Sequence, residues 1–239
     1  MSVQTSYSDN IPARIAGLAE SKNISKSYIV GDALPFGRFV KFTNGQRVIK
    51  AGADKFETST NITTGTITMT ILKKDLSAGT STSNSISVAF DTNNNTTYAN
   101  LETAIEALSN VTATLIDSGG NKRGITITPD DGYEFVVTAL SFPVTVTSGF
   151  QNAPVGVALL SQLETEDFEY QNLAEVLIKG SVNVATLTAI ARTDTLYVKA
   201  VGTEAQIGCL TNVSDTTTVA LSGVKALSER SNNAVLVQI

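Results

Sequence analysis

Residues 64–74 read TGTITMTILKK. Apolar and hydroxyl side chains alternate strictly, with Ile67, Met69 and Ile71 on one side and Thr66, Thr68 and Thr70 on the other. A period of two places each set on its own face of a β-strand, one toward a core and one toward solvent. A helix would scatter the same residues around its axis. This stretch sets the fold class as β, and its surroundings extend the reading. SISVAF (85–90) gives a second strand. Thr97 to Leu108, TYANLETAIEAL, is the best helix of the chain, with Leu101, Ile105 and Leu108 in an apolar stripe and Thr97 as expected N-cap. VTATLID, ITITP, YEFVVTAL and FPVTVTS follow as strands. SGGNKRG (118–124) has the glycines and cations of a phosphate loop. Such a loop needs a helix after it, and here a strand follows, so the hairpin reading prevails.

Texture changes on either side of residues 58–152. That segment has β-β-α-β-β-β order and a length that can fold alone, so it is expected to be a small α+β domain inserted in a loop of another. Residues 30–57 and 153–239 make the body: short strands such as VGVALL, EVLIKGSVNVATL, TLYVKAV, TTTVAL and NAVLVQI, separated by Gly, Asp-Thr, Ser-Asp and Ser-Asn-Asn. This spacing predicts a sandwich or barrel. Ile178 to Val184 is expected to bend at Gly180. Residues 1–29 are expected to be an arm, with Ile11, Ile15 and Leu18 at helical spacing and Pro12 near the first helical position. Fully extended, such an arm reaches about 90 Å. The overall class is mainly β: a sandwich- or barrel-like body with an N-terminal arm and an inserted α+β domain.

Composition narrows function. The 239 residues contain no histidine, no tryptophan and one cysteine, Cys209. A Ser–His–Asp triad, a Cys–His dyad and a histidine zinc site are therefore impossible. The lone Cys209 lies in QIGCLTN with no imidazole to activate it and is expected to be structural. The net charge of −5 offers no pull toward nucleic acid. The apolar runs are short for a membrane helix, and MSVQTSYSDNIPARIAGLAE lacks the pattern of a secretory signal. Glu164, Glu166, Asp167 and Glu169 form the densest carboxylate run. Calcium ligation or a carboxylate pair is conceivable there, but the run lacks the alternation and glycine of a calcium loop, and a solvated acidic loop is the simpler reading. No catalytic residue, cofactor or metal is expected. Thr, Val, Ser and Gly dominate while charged residues make up 16 %, which suits a β protein that shares its surface in an assembly.

Five stretches carry a resemblance. VQTSYSDNIPARIAGLAE (3–20), VGDALPFGRFVKF (30–42), EVLIKGSVNVAT (175–186), DTLYVKAVG (194–202) and LSGVKALSERSNNAVLVQI (221–239) together resemble the capsid cement, or decoration, proteins of tailed bacteriophages. The chain departs from that pattern in the segment 58–152 and in TEAQIGCLTN. The resemblance implies a β-rich protein made in the host cytoplasm that binds the outer surface of a phage head. It would lock major capsid subunits together and pair with copies of itself as dimer or trimer, without nucleic acid or membrane. It carries over no catalytic residues. An arm and an edge strand suit strand augmentation of a neighbour. The expected interface residues are Tyr7, Ile11, Ile15, Leu18, Phe36, Arg38 and Phe39, with Arg38 and Lys41 as rim charges. Pro35 and Gly37 would shape an edge strand, and the insert would project outward. A tail-tube or head–tail joining protein, and a glycan-binding module carried by the insert, are the competing readings.

Overall fold

The computed structural model describes residues 24–31, 34–43, 47–159, 173–229 and 233–239. The fold is mainly β. In chain order the elements begin with β1 (Ile24–Ile29), β2 (Phe39–Phe42), β3 (Val48–Lys50) and β4 (Lys55–Thr58). Next come β5 (Thr66–Asp75), β6 (Thr80–Ala89), α1 (Asn94–Glu106), β7 (Val111–Ser118), β8 (Asn121–Pro129), β9 (Tyr133–Ser141) and β10 (Val146–Gly149). The remainder are β11 (Gly156–Ala158), β12 (Leu173–Lys179), β13 (Ser181–Ala185), β14 (Tyr197–Lys199), β15 (Leu210–Thr211), β16 (Thr218–Ala220), β17 (Lys225–Ala226) and β18 (Ala234–Gln238).

The alternating stretch forms β5 as read, with Ile67, Met69 and Ile71 buried and Thr66 and Thr68 exposed. β5 is the middle strand of the sheet β6-β5-β9. A second sheet, β10-β4-β8-β7, completes the region together with α1. The Ser118–Asn121 connection is a tight hairpin. Gly119 and Gly120 both have positive φ (63° and 82°), the requirement of a primed two-residue turn.

The helix differs from the expectation at its start. It begins at Asn94 and is capped by Asn93, whose Oδ1 accepts from Thr96 N at 2.9 Å. Thr97 is an interior helical residue, fully buried, and its hydroxyl donates to the Asn93 carbonyl at 2.9 Å. Thr97 can also cap, but Asn93 stands one turn earlier with a competent side chain, so the helix gains that turn. Tyr98 then joins Leu101 and Ile105 on the buried face.

The texture change near Glu57 falls inside β4, which pairs with β10 and β8. The hydrogen-bonded unit therefore starts about Lys55. Its core gathers Phe56, Ile62, Ile67, Met69, Ile71, Tyr98, Leu101, Ile105 and Ile125, and it also takes in Ala200 and Val201 from the C-terminal third. Four charged side chains meet at the same boundary: Lys50, Lys74, Glu134 and Glu204. Lys50 Nζ lies 3.5 Å from Glu204 Oε1 and Lys74 Nζ 3.6 Å from Glu134 Oε2, and Lys74 also pairs with Glu204. Two cations and two carboxylates cancel, which is what permits the burial of Lys50, Lys74 and Glu134.

The rest of the chain forms the five-stranded sheet β1-β12-β11-β2-β3 and the small sheets β13-β18-β17 and β15-β14-β16. One cluster, including Phe39, Val157, Leu177, Val182, Val184, Val198, Val235 and Val237, fills the space between them. Another, Val30, Leu34, Val40, Val48, Ala158, Ala174 and Val176, backs the larger sheet. The bend at Gly180 is present, and Ile239 closes onto it, its N–H donating to the Gly180 carbonyl at 2.9 Å. β18 lies between β13 and β17, so the C-terminal strand is tied down from both sides.

Two expectations are corrected here. β2 is not an edge strand: it pairs with β11 on one side and β3 on the other. Pro35 lies just before it, outside the ladder, so its missing N–H costs nothing there. Residues 24–29, assigned to the arm, form β1, paired with β12 along its whole length. Residues 1–23 lie outside the described residues.

Candidate assembly surface

The expected interface residues separate on inspection. Tyr7, Ile11, Ile15 and Leu18 lie outside the described residues, as do Glu164, Glu166, Asp167 and Glu169. Phe39 is only 2 % exposed and belongs to the protein's own core. Phe36 is half-buried against the cluster behind the large sheet. Arg38 is no rim charge: it is half-buried, with its guanidinium against Cys209 Sγ. Lys41 is 5 % exposed and bridges Asp54 at 2.6 Å, while Asp54 Oδ1 also accepts from Gln151 N at 2.6 Å. Both cations were misassigned for one reason. Strand alternation in a sequence does not say whether the second face of a sheet is covered, and β2 is packed on both sides.

Cys209 is buried, and burial pushes its thiol pKa up, with the Arg38 charge opposing in part. A raised pKa keeps the thiol protonated and poorly nucleophilic at neutral pH. Among the described residues no cluster of three or more acidic or thiol side chains could hold a metal ion, and no helix is long and apolar enough to cross a membrane. A groove runs between the β2–β3 hairpin and the β8–β9 turn, lined by Lys41, Arg47, Asp54, Asp131 and Tyr133. Lys41 and Asp54 neutralise each other on its wall, and Arg47 stands 4.0 Å from Asp131.

The distinctive surface is β1, beside the seam where the large sheet curls back on itself. The sheet's two outer strands are β1 and β3. The outer side of β3 is met by the chain itself: Val30 bridges Val48, and Gly31 N donates to the Val48 carbonyl at 2.9 Å. β1 has β12 as its only partner among the described residues. Lys26, Ser27, Ile24 and Ile29 are exposed, so the strand is open on most of both faces, and directly after Ile29 the chain turns onto β3 through Val30 and Gly31. Ile24 is 50 % and Ile29 48 % exposed, and Leu173, directly opposite Ile29 on β12, is 64 % exposed. Tyr28 anchors the strand inward, edge-on to Phe42 with ring centres 5.0 Å apart. On the opposite face Ser27 stands across from Glu175, to which the Ser25 hydroxyl donates.

A solvated edge is ordinarily blunted by charge, proline, a bulge or a covering loop. β1 carries one lysine, a register irregularity between Ile24 and Ser25, and two exposed isoleucines on opposite faces, Ile24 and Ile29, the second of them opposite Leu173 of β12. Its unpaired N–H and C=O groups can be completed by another strand, and Ile24, Ile29 and Leu173 can be buried in the same step. ISKSYI is too polar to stand out, and it was absorbed into the arm that precedes it.

No family model matches the chain, and no curated protein matches it. Among solved structures, a chain of "The capsid of Myoviridae Phage XM1" is similar over 99 % of this chain and 93 % of its own length, at 12 % identity and a TM-score of 0.49.

Proposed function

We propose that the protein is a structural component of a tailed-bacteriophage particle, a cement protein that binds the outer surface of the head and ties major capsid subunits together. The observation that carries the reading is the open β1 edge with Ile24, Ile29 and Leu173 beside it. Main-chain bonds along such an edge join it to another strand, and the adjacent apolar side chains add buried area. Supporting this are the stretches similar to cement proteins, the mainly β fold, and a sequence without histidine, the side chain best suited to acid–base work near neutral pH. In this reading residues 30–57 with 153–239 form the head-binding body, residues 1–29 extend the contact, and residues 58–152 project outward. A modest affinity per copy suffices, because repeated sites on a closed shell multiply it.

The test is co-sedimentation of the purified protein with heads that lack it, followed by thermal disruption of the loaded and unloaded heads. Saturable binding and a higher disruption temperature are expected. Rings or tubes of the purified protein under the electron microscope, with no binding to heads, would instead place it in a tail tube or joining ring. Binding to a glycan array through residues 58–152 would assign it to host recognition.

A further inference from the structure

We infer that Lys74 and Glu204 join in an isopeptide bond, a self-formed cross-link that fastens residues 58–152 to the rest of the chain. This concerns the chain itself and stands whether or not the protein binds heads.

The four charged groups at the boundary each hold a place that amide formation needs. Lys74 on β5 supplies the amine, and its Nζ pairs with the Glu204 carboxylate. Glu134 stands directly across from Lys74 on β9, is 3 % exposed, and has Oε2 3.6 Å from the same Nζ. A carboxylate so placed can take protons from the amine and hand them on. Lys50 on β3 has Nζ 3.5 Å from Glu204 Oε1, the atom on which negative charge builds as an amine adds to the carboxyl carbon. A fixed cation there stabilises that charge most where water is excluded, and Glu204 Oε1 is buried.

The backbone holds this arrangement in place. Glu204 lies between β14 and β15, just after Ala200 and Val201, which are buried in the core of residues 55–149. Gly202 N donates to the Val137 carbonyl on β9 at 3.4 Å, and Ala53 N donates to the Ala200 carbonyl at 2.8 Å. A cavity of about 200 Å³, lined by Lys74, Thr80, Ser81 and Glu204, adjoins the pair and gives a small leaving molecule somewhere to go. Reacting groups held in contact behave as if present at about 10⁵ M or more.

The step balances without oxidant or cofactor. Lys74 Nζ gives a proton to Glu134 and forms a bond to Glu204 Cδ. The Cδ–Oε2 bond then breaks. Oε2 leaves as water with two of the three ammonium protons, carried by Glu134, and the third stays on the amide nitrogen. Glu134 ends as the carboxylate it was. One cation and one anion disappear together, and Lys50 and Glu134 still cancel, so the buried site stays neutral. The Lys41–Asp54 pair is also buried, but among the described residues no second carboxylate pairs with Lys41 to carry its protons.

The intact mass of the full-length protein, measured after denaturation, reads the bond directly. Wild type should weigh one water less than its sequence. Trypsin should release a branched peptide joining the segments that contain Lys74 and Glu204. Lys74→Arg and Glu204→Ala should have their full sequence masses. Glu204→Gln gives a sharper check. Its amide would expel ammonia instead of water and yield the same final molecule, so this variant and wild type should end at one mass from different starting chains. Glu134→Gln keeps the shape but cannot shuttle protons, and should stay at full mass over the time in which wild type cross-links. Folded wild type at its full sequence mass, both as purified and after overnight incubation at growth temperature, overturns the proposal. So does a branched peptide mapping to other residues, or a Glu134→Gln protein that cross-links as fast as wild type.

Discussion

The Thr58–Tyr98 pair offers a test of proton accounting in the core between the two sheets of residues 55–149. Thr58 is 5 % exposed and Tyr98 fully buried, and their hydroxyl oxygens are 2.9 Å apart. Thr58 Oγ1 also lies 3.0 Å from the Arg123 carbonyl. A carbonyl only accepts, so the one hydroxyl proton of Thr58 goes to Arg123, and Tyr98 must donate to Thr58. Tyr98→Phe removes a donor and leaves Thr58 bonded to Arg123, a loss of about 1 kcal/mol. Thr58→Val removes the shared centre, stranding a buried phenol O–H and depriving a carbonyl of its partner, a loss of about 3 kcal/mol. The sign then reverses: adding Tyr98→Phe to Thr58→Val removes the stranded donor and should restore about 1 kcal/mol, leaving the double variant about 2 kcal/mol below wild type, where additivity gives about 4 kcal/mol. Urea unfolding of the four proteins at pH 7 measures the cycle. A double variant that is merely additive, or a Tyr98→Phe variant costlier than Thr58→Val, would refute the assigned direction of donation. The same pair sets an alkaline limit. Burial raises the Tyr98 phenol pKa above its ordinary value, with Thr58 opposing in part. The folded protein therefore holds this proton more tightly than the unfolded chain, whose phenol ionises near pH 10. The contribution is complete below about pH 10 and is lost as pH rises further, and Tyr98→Phe should flatten that decline.

Other consequences are local. Gly156 sits in β11, inside the five-stranded sheet, where an added Cβ would overlap the Leu177 carbonyl and stand 2.8 Å from Val176 Cγ1. Gly156→Ala should therefore cost more than about 3 kcal/mol, read as loss of soluble protein or a sharply lowered urea midpoint. Asn93→Ala removes the helix cap and should cost about 1 kcal/mol, seen as a melting temperature lower by about 2–4 °C, whereas Asn93→Asp should retain most of it. Cys209 should react with a thiol-specific chromophore only in denaturant, since burial both screens it and raises its pKa; rapid reaction of the native protein at pH 8 would contradict that.

The strand pattern was legible because burial of one face writes itself into residue order. Ile67, Met69 and Ile71 could be assigned to a core from β5 alone, and the Gly119–Gly120 hairpin from its composition. The helix starts at Asn94, three residues before Thr97, because the Asn93–Thr97 run offers several side chains able to cap and only packing chooses among them. Arg38 and Lys41 looked like rim charges, yet Lys41 is held by Asp54, thirteen residues away, and Arg38 lies against Cys209, near the other end of the chain.

Sequence by itself determined the β class, the helix that follows SISVAF, the bend at Gly180 and the absence of histidine, since these depend on each residue's own chemistry and its nearest neighbours. Tertiary structure alone decided the order of strands in the large sheet. It put β2 in the interior, closed β3 with Val30 and Gly31, and left β1 outermost. An edge is not a property of a strand. ISKSYI would read the same in the middle of a sheet, and it is exposed here because β12 alone, among the described residues, pairs with it. Whether its backbone groups and aliphatic side chains are available to another strand is set by what lies beside it in space, which residue order does not encode locally.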